Sequence, residues 1–230
     1  MVPSIRIKIC GLTRADEAVH AAAAGADAIG LVFAPQSPRR LGVDAAAALV
    51  RALPPFVARV GLFVDAPAGE VTRVLDATGI DTVQFHGGES PEFCAAFRSR
   101  VKVLKAFRVR GPETLAELEG YRGAADGWLL DAYVAGVPGG TGACFDWGLA
   151  VRAREMGWPL ILAGGLTPGN IRQAVTEVRP FAVDVSSGVE SAPGRKDPVL
   201  VQALVGEARA AAARATSGLA PAASDRRVGP

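Results

Sequence analysis

Short β-branched runs alternate with alanine-rich amphipathic stretches along almost the whole 230-residue chain. Strands are expected near 5–9, 27–33, 57–64, 81–86, 101–107, 126–131, 159–163 and 181–186, each followed by a helical segment. Such βα alternation demands a parallel sheet covered by helices. Eight units in roughly 200 residues suit a closed (β/α)8 TIM barrel. An open doubly wound sheet is the alternative. It is disfavoured because no G-x-G-x-x-G joins the first strand to its helix, and because the strands carry polar residues on one face.

The helices carry their own punctuation. Thr13 and Asp16 resemble a capping box for a helix over 13–24, with Ala15, Ala18, Val19, Ala22 and Ala23 as its stripe and Gly25 as its stop. Ser90-Pro91, Thr167-Pro168 and Asp197-Pro198 each read as a cap followed by proline at the first helical position. The stripes that follow are Phe93, Ala96, Phe97 and Ile171, Ala174, Val175, Val178; Val71, Val74, Leu75 and Thr78 form another, closed by Gly79. One catalytic domain is expected over 1–207. Residues 208–230 pass through Ala-Arg repeats into turn-forming residues without an apolar stripe, and are expected to be a disordered tail.

A net charge of +2 is too small and dispersed to indicate nucleic acid or membrane binding, and no apolar run is long enough to span a bilayer. Three widely spaced cysteines give neither a disulfide framework nor a metal pattern. Their odd number, with no signal sequence, is expected of a cytoplasmic protein. Two histidines are too few for a histidine-rich metal site.

Chemistry concentrates at strand ends, where barrels place their sites. In the first strand Ile5, Ile7 and Ile9 share one face, and Arg6, Lys8 and Cys10 the other. Cys10 is either a thiolate favoured by Lys8 or a quiet buried thiol beside snorkelling cations. Asp131 closes an apolar strand as a helix cap, a turn former or a catalytic group. Gln84 and His86 share a face on the fourth strand, and Asp184 and Ser186 on the eighth; Gln84 and Asp184 could also partner Arg6, Lys8 or Arg59. Glycine clusters at Gly139–Gly142, Gly164-Gly165 and Ser187-Gly188 follow strands six to eight, and together suggest a phosphate cradle. Arg39, in a proline-set loop, is either solvated surface or a site for a substrate carboxylate.

These residues resemble the phosphoribosylanthranilate isomerase family of tryptophan biosynthesis. The likeness runs in order through Lys8–Thr13, Gly25–Gly30, Ser37–Arg39, Val60–Val64, Gln84–Gly87, Leu130-Asp131, Gly139–Gly142, Phe145–Trp147, Ala163–Leu166, Val183–Glu190 and Pro193–Asp197. It spans residues 5 to about 205; Cys144 and the tail beyond Glu207 lie outside it. The resemblance implies an Amadori rearrangement with Asp131 as general acid and Cys10 as general base. It also implies Arg39 on the anthranilate carboxylate, and the phosphate at Gly142, Gly164, Gly165, Ser187 and Gly188. Lys8 and His86 are further expected substrate-binding residues. Phe85, where the family often has leucine, should face outward, away from the chemistry. No cofactor or metal is implied, and the expected partner is a small phosphorylated substrate, bound by a monomer or homodimer. A related ring-opening isomerase of histidine biosynthesis carries a carboxylate in place of Cys10. A non-catalytic phosphosugar-binding barrel would have no reason to keep both Cys10 and Asp131.

Overall fold

The computed structural model describes residues 5–132 and 146–217. Its eight strands are β1 (Arg6–Cys10), β2 (Ala28–Val32), β3 (Ala58–Phe63), β4 (Thr82–Phe85), β5 (Lys102–Val109), β6 (Gly127–Ala132), β7 (Leu160–Leu162) and β8 (Ala182–Val185). They pair in parallel and in sequence order, and β8 closes on β1. The helices are α1 (Ala15–Ala23), α2 (Val43–Ala52), α3 (Ala68–Thr78), α4 (Pro91–Phe97), α5 (Thr114–Gly120), α6 (Trp147–Glu155), α7 (Ile171–Val178) and α8 (Pro198–Ser217). A short hairpin, β9 (Glu190–Ala192) and β10 (Arg195–Lys196), lies between β8 and α8. This is the expected barrel.

The period-two alternation sorts side chains into two cores. Outward residues such as Ile7, Ile9, Val83 and Phe85 are fully buried under the helices. Phe85 stacks near Phe63, Phe93 and Phe97, with ring centroids 5.3–6.4 Å apart. Burying each such side chain contributes about 1.5–3 kcal/mol. Inside the barrel, Leu104, Ala106, Leu129, Ile161, Ala163 and Ala182 form one cluster. Cys10, Val32, Ala34, Leu62 and Val64 form another.

Several local expectations need correction. Thr13 does not cap α1: its hydroxyl donates to the Gly194 carbonyl at 2.7 Å, and Arg14 stands at the N-cap without a side-chain hydrogen bond. In α1, Ala18 and Ala21 are buried whereas Val19 is 40 % exposed, so the inward face is centred on Ala18 and Ala21 and leaves Val19 off the expected stripe. Cys94, not Ala96, completes the buried face of α4. Ser90 and Asp197 cap α4 and α8 as expected. Thr167-Pro168 instead forms a turn, closed by Asn170 accepting from the Thr167 N–H, and α7 begins at Ile171. The expected domain boundary at 207 falls within α8. Ala208 and Ala211 are buried, and Arg209 reaches the Ile5 and Gly25 carbonyls and Asp27 at the lower rim of the barrel. Of the expected tail over 208–230, residues 208–217 belong to α8, and 218–230 lie outside the described residues.

Candidate active site

Cys10 ends β1 facing the barrel interior and is paired with Gly30 on β2. A β-carbon on Gly30 would stand 2.7 Å from the Cys10 Sγ, so glycine there makes room for the thiol. Beneath it, Lys8 donates to Asp184 Oδ1 at 2.8 Å, and both side chains are buried. This confirms Asp184 as the ion-pair partner of Lys8; Arg59 pairs with Asp81 instead, and Gln84 with His86. Burial works against the Lys8 charge, but Asp184 and Cys10 outweigh it and push Lys8 up to about 12.

The thiol behaves otherwise than Lys8 alone would suggest. Burial pushes Cys10 upward, Lys8 and Lys196 pull it down, and Asp184 pushes it up. The net direction is upward, because burial is the largest influence and Asp184 adds to it against Lys8 and Lys196. Burial thus favours the thiol over the thiolate that Lys8 alone would favour, and weighs toward the second of the two readings the sequence left open.

Arg39 crosses the mouth at the end of β1, and a β-carbon on Gly11 would lie 2.4 Å from the Arg39 Cδ. Gly11 has φ +78°, a left-handed turn that glycine adopts without penalty. The Arg39 guanidinium donates to both oxygens of Glu190, Nε at 2.7 Å and Nη2 at 2.6 Å. Lys196 donates to Glu190 Oε1 at 2.7 Å and to the Ser186 carbonyl at 3.0 Å. Thus Arg39 is no loose surface cation. Burial opposes the Glu190 charge, but hydrogen bonds from Arg39 and Lys196 prevail and hold its carboxyl below the usual range. Burial also lowers Lys196. The hairpin carrying Glu190 and Lys196 is pinned to α1 by Glu17 and to the loop before it by Thr13.

Gly164 and Gly165, after β7, have φ +84° and +66°. The Ser187–Val189 turn follows β8. A β-carbon on Gly188 would stand 1.8 Å from the Leu166 carbonyl oxygen, so the two loops can meet only because residue 188 is glycine. Gly142 lies outside the described residues.

Asp131 faces inward at the end of β6, as Leu129 does two residues earlier, and its Oδ2 lies 3.4 Å from His86 Nε2. His86 Nδ1 faces the Gln84 amide nitrogen at 3.3 Å. The loop holding His86 is rigidly braced. Glu89 accepts from the Asp65 and Gly87 N–H groups and from Lys105, and Asp65 accepts from Gly88. Beside it opens a cavity of about 650 Å³ lined by Val64, His86, Phe107, Arg108, Arg110 and Tyr121 among others.

Sequence reasoning assigned no role to Arg108, Glu190 or Lys196. Arg108 is in register with Asp131, but the expected strand five stopped at 107, one residue short of it. Alternation from Leu104 and Ala106 would have placed it on the same face. Among the described residues, no group of three His, Cys, Asp or Glu side chains is arranged to hold a metal, and no helix is long and apolar enough to cross a membrane.

Residues 7–207 match the family model of N-(5′-phosphoribosyl)anthranilate (PRA) isomerase. The chain belongs to the PRA isomerase family. It is 54 % identical over 204 residues to the N-(5′-phosphoribosyl)anthranilate isomerase of Citrifermentans bemidjiense, covering 89 % of this chain and 97 % of that one. The crystal structure of the Thermotoga maritima phosphoribosyl anthranilate isomerase superposes with a TM-score of 0.84 at 38 % identity, covering 90 % of this chain and 99 % of the other. A solved PRA isomerase complex with reduced 1-(o-carboxyphenylamino)-1-deoxyribulose 5-phosphate superposes at 0.81, also at 38 % identity and with the same coverage. Membership of this isomerase family accounts for the ordered motifs from β1 to the hairpin, so the chain is an isomerase.

Proposed function

We propose that the protein catalyses the Amadori rearrangement of N-(5-phosphoribosyl)anthranilate to 1-(2-carboxyphenylamino)-1-deoxyribulose 5-phosphate, a step of L-tryptophan biosynthesis. One observation carries the reading. An inward thiol and an inward carboxylic acid end β1 and β6, and the loops of the two intervening strands, β7 and β8, are built from backbone-exposing glycines. A substrate phosphate held by N–H groups at Gly164, Gly165, Ser187 and Gly188, with Gly142 contributing, would set the sugar carbons between acid and base.

Asp131 protonates the furanose ring oxygen, the C1′–O bond breaks, and the anthranilate nitrogen lone pair forms the Schiff base. Cys10, as thiolate, then takes the proton from C2′, and the electron pair left behind neutralises the iminium to give an enolamine. The enolamine ketonises to product, so no electrons leave the substrate. Lys8 and Lys196 pull Cys10 toward the thiolate against its burial. Arg39 uses its Nε–Nη2 edge on Glu190 and offers its remaining N–H groups to the anthranilate carboxylate. The relative solved with a reduced product analogue supports this substrate class.

The test is direct. Purified protein mixed with freshly generated PRA, without added metal, should extinguish the anthranilate-type fluorescence with saturation kinetics. Saturable binding of the phosphosugar with no fluorescence loss would mark a binding protein and overturn the reading.

A further inference from the structure

Gln84 lies inside the barrel with only 1 % of its surface exposed. Its amide nitrogen faces His86 Nδ1 at 3.3 Å, and its Oε1 is buried with no hydrogen-bond partner among the described residues. A primary amide nitrogen can only donate, so Nδ1 must accept and the imidazole proton sits on Nε2. That nitrogen lies 3.4 Å from Asp131 Oδ2. Turning the amide over would bury two N–H donors where Oε1 now finds no partner, and unsatisfied N–H groups are the rarer kind.

We infer that Gln84 is a positioning residue, which fixes His86 as its Nε2–H tautomer and thereby makes Oδ2 the acceptor and Oδ1 the proton-carrying oxygen of Asp131. The inference rests on the reading of Asp131 as the general acid. An imidazole with a bare Nε2 would instead accept the Asp131 proton and hold it away from the sugar. With Nε2–H in place, the proton stays on Oδ1, free to reach the ring oxygen, and the carboxylate left after transfer gains a donor on Oδ2. A buried amide with one idle oxygen gives up some stability to select one tautomer.

The chain has only two histidines, His20 and His86, which makes the measurement simple. Protein labelled with ¹⁵N-histidine should show His86 with a protonated Nε2 and a bare Nδ1, its signals assigned by their loss in His86→Gln. Gln84→Leu, and Gln84→Met should Leu fail to fold, should move His86 toward the other tautomer. Turnover number should fall about tenfold while KM stays within twofold, a part of the roughly 10²–10⁴ that a positioned acid supplies. Gln84→Glu offers an acceptor to Nδ1–H, and should pin the opposite tautomer with a larger loss. Gln84→Leu should have no further effect on turnover in a His86→Phe background, as coupled residues require.

A protonated Nδ1 in the wild type would overturn the inference, as would wild-type tautomer and turnover in Gln84→Leu. Full activity in Asp131→Asn would instead remove the acid assignment, and the tautomer of His86 with and without Gln84 would still decide what Gln84 does.

Discussion

Glu190 grips Arg39 through two hydrogen bonds of 2.7 and 2.6 Å and holds Lys196 with the same carboxylate at 2.7 Å. The hairpin after β8 is thereby tied to the loop after β2, across the end of β1 where Cys10 sits. Removing the charge in Glu190→Gln leaves two cations sharing a neutral amide. The expected result is a KM for PRA raised about tenfold with a smaller change in kcat, and a loss of stability of about 3 kcal/mol, as breaking a buried pair costs. Steady-state kinetics and urea unfolding check both.

The same carboxylate gives a pH signature. Its folded-state value lies below the ordinary 4.5, so its contribution is complete above the usual glutamate range and fades as pH falls through that range and below. The stability gap between wild type and Glu190→Gln should be flat from neutrality down to about pH 5 and narrow only in more acid solution. A gap that widened on acidification would contradict the clamp.

Because burial pushes Cys10 up, its alkylation by iodoacetamide at neutral pH should be slow and should climb with pH past the ordinary thiol range. Asp184→Asn removes the charge that neutralises Lys8, and should shift the rate profile to lower pH. The comparison belongs in a Cys144→Ser background, with Cys94 as an internal reference: burial pushes that thiol to about 11. An unmoved profile would detach Cys10 from the Lys8–Asp184 pair.

Gly188→Ala would force a β-carbon against the Leu166 carbonyl, and this backbone contact offers no flexible side chain to move. The loops after β7 and β8 must part. Inhibition by inorganic phosphate should weaken at least tenfold, a few kcal/mol of lost charge-assisted hydrogen bonding at most, while the circular dichroism spectrum stays unchanged.

Much of this was legible in the chain because period-two and period-3.6 patterns decide which faces are buried. Ile5, Ile7 and Ile9 pointed outward to the helices as their alternation required, and Cys10 and Asp131 landed inward at strand ends. Arg108 was within reach of the alternation and was lost only to a strand ended one residue early, whereas the other omissions lacked a periodic signature. Glu190 and Lys196 sit on strands of three and two residues, too short to show alternation, and their roles come from a fold-back onto Arg39. Ala208 and Ala211 were hidden among Ala-Arg repeats, since alanine buries little surface and reads much the same in a frayed end as in a packed one. Cys10 shows the limit of a one-strand view: Lys8 was visible two residues away, whereas Asp184, which offsets it, lies 176 residues further along.

The measurement that bears most directly on the account is PRA turnover by wild type, Cys10→Ser and Asp131→Asn side by side, with product affinity measured for each. Wild type should turn over, and both variants should lose at least a hundredfold in kcat while binding product within a few-fold of wild type. Turnover near the wild-type rate in either variant would contradict the assignment of base or acid.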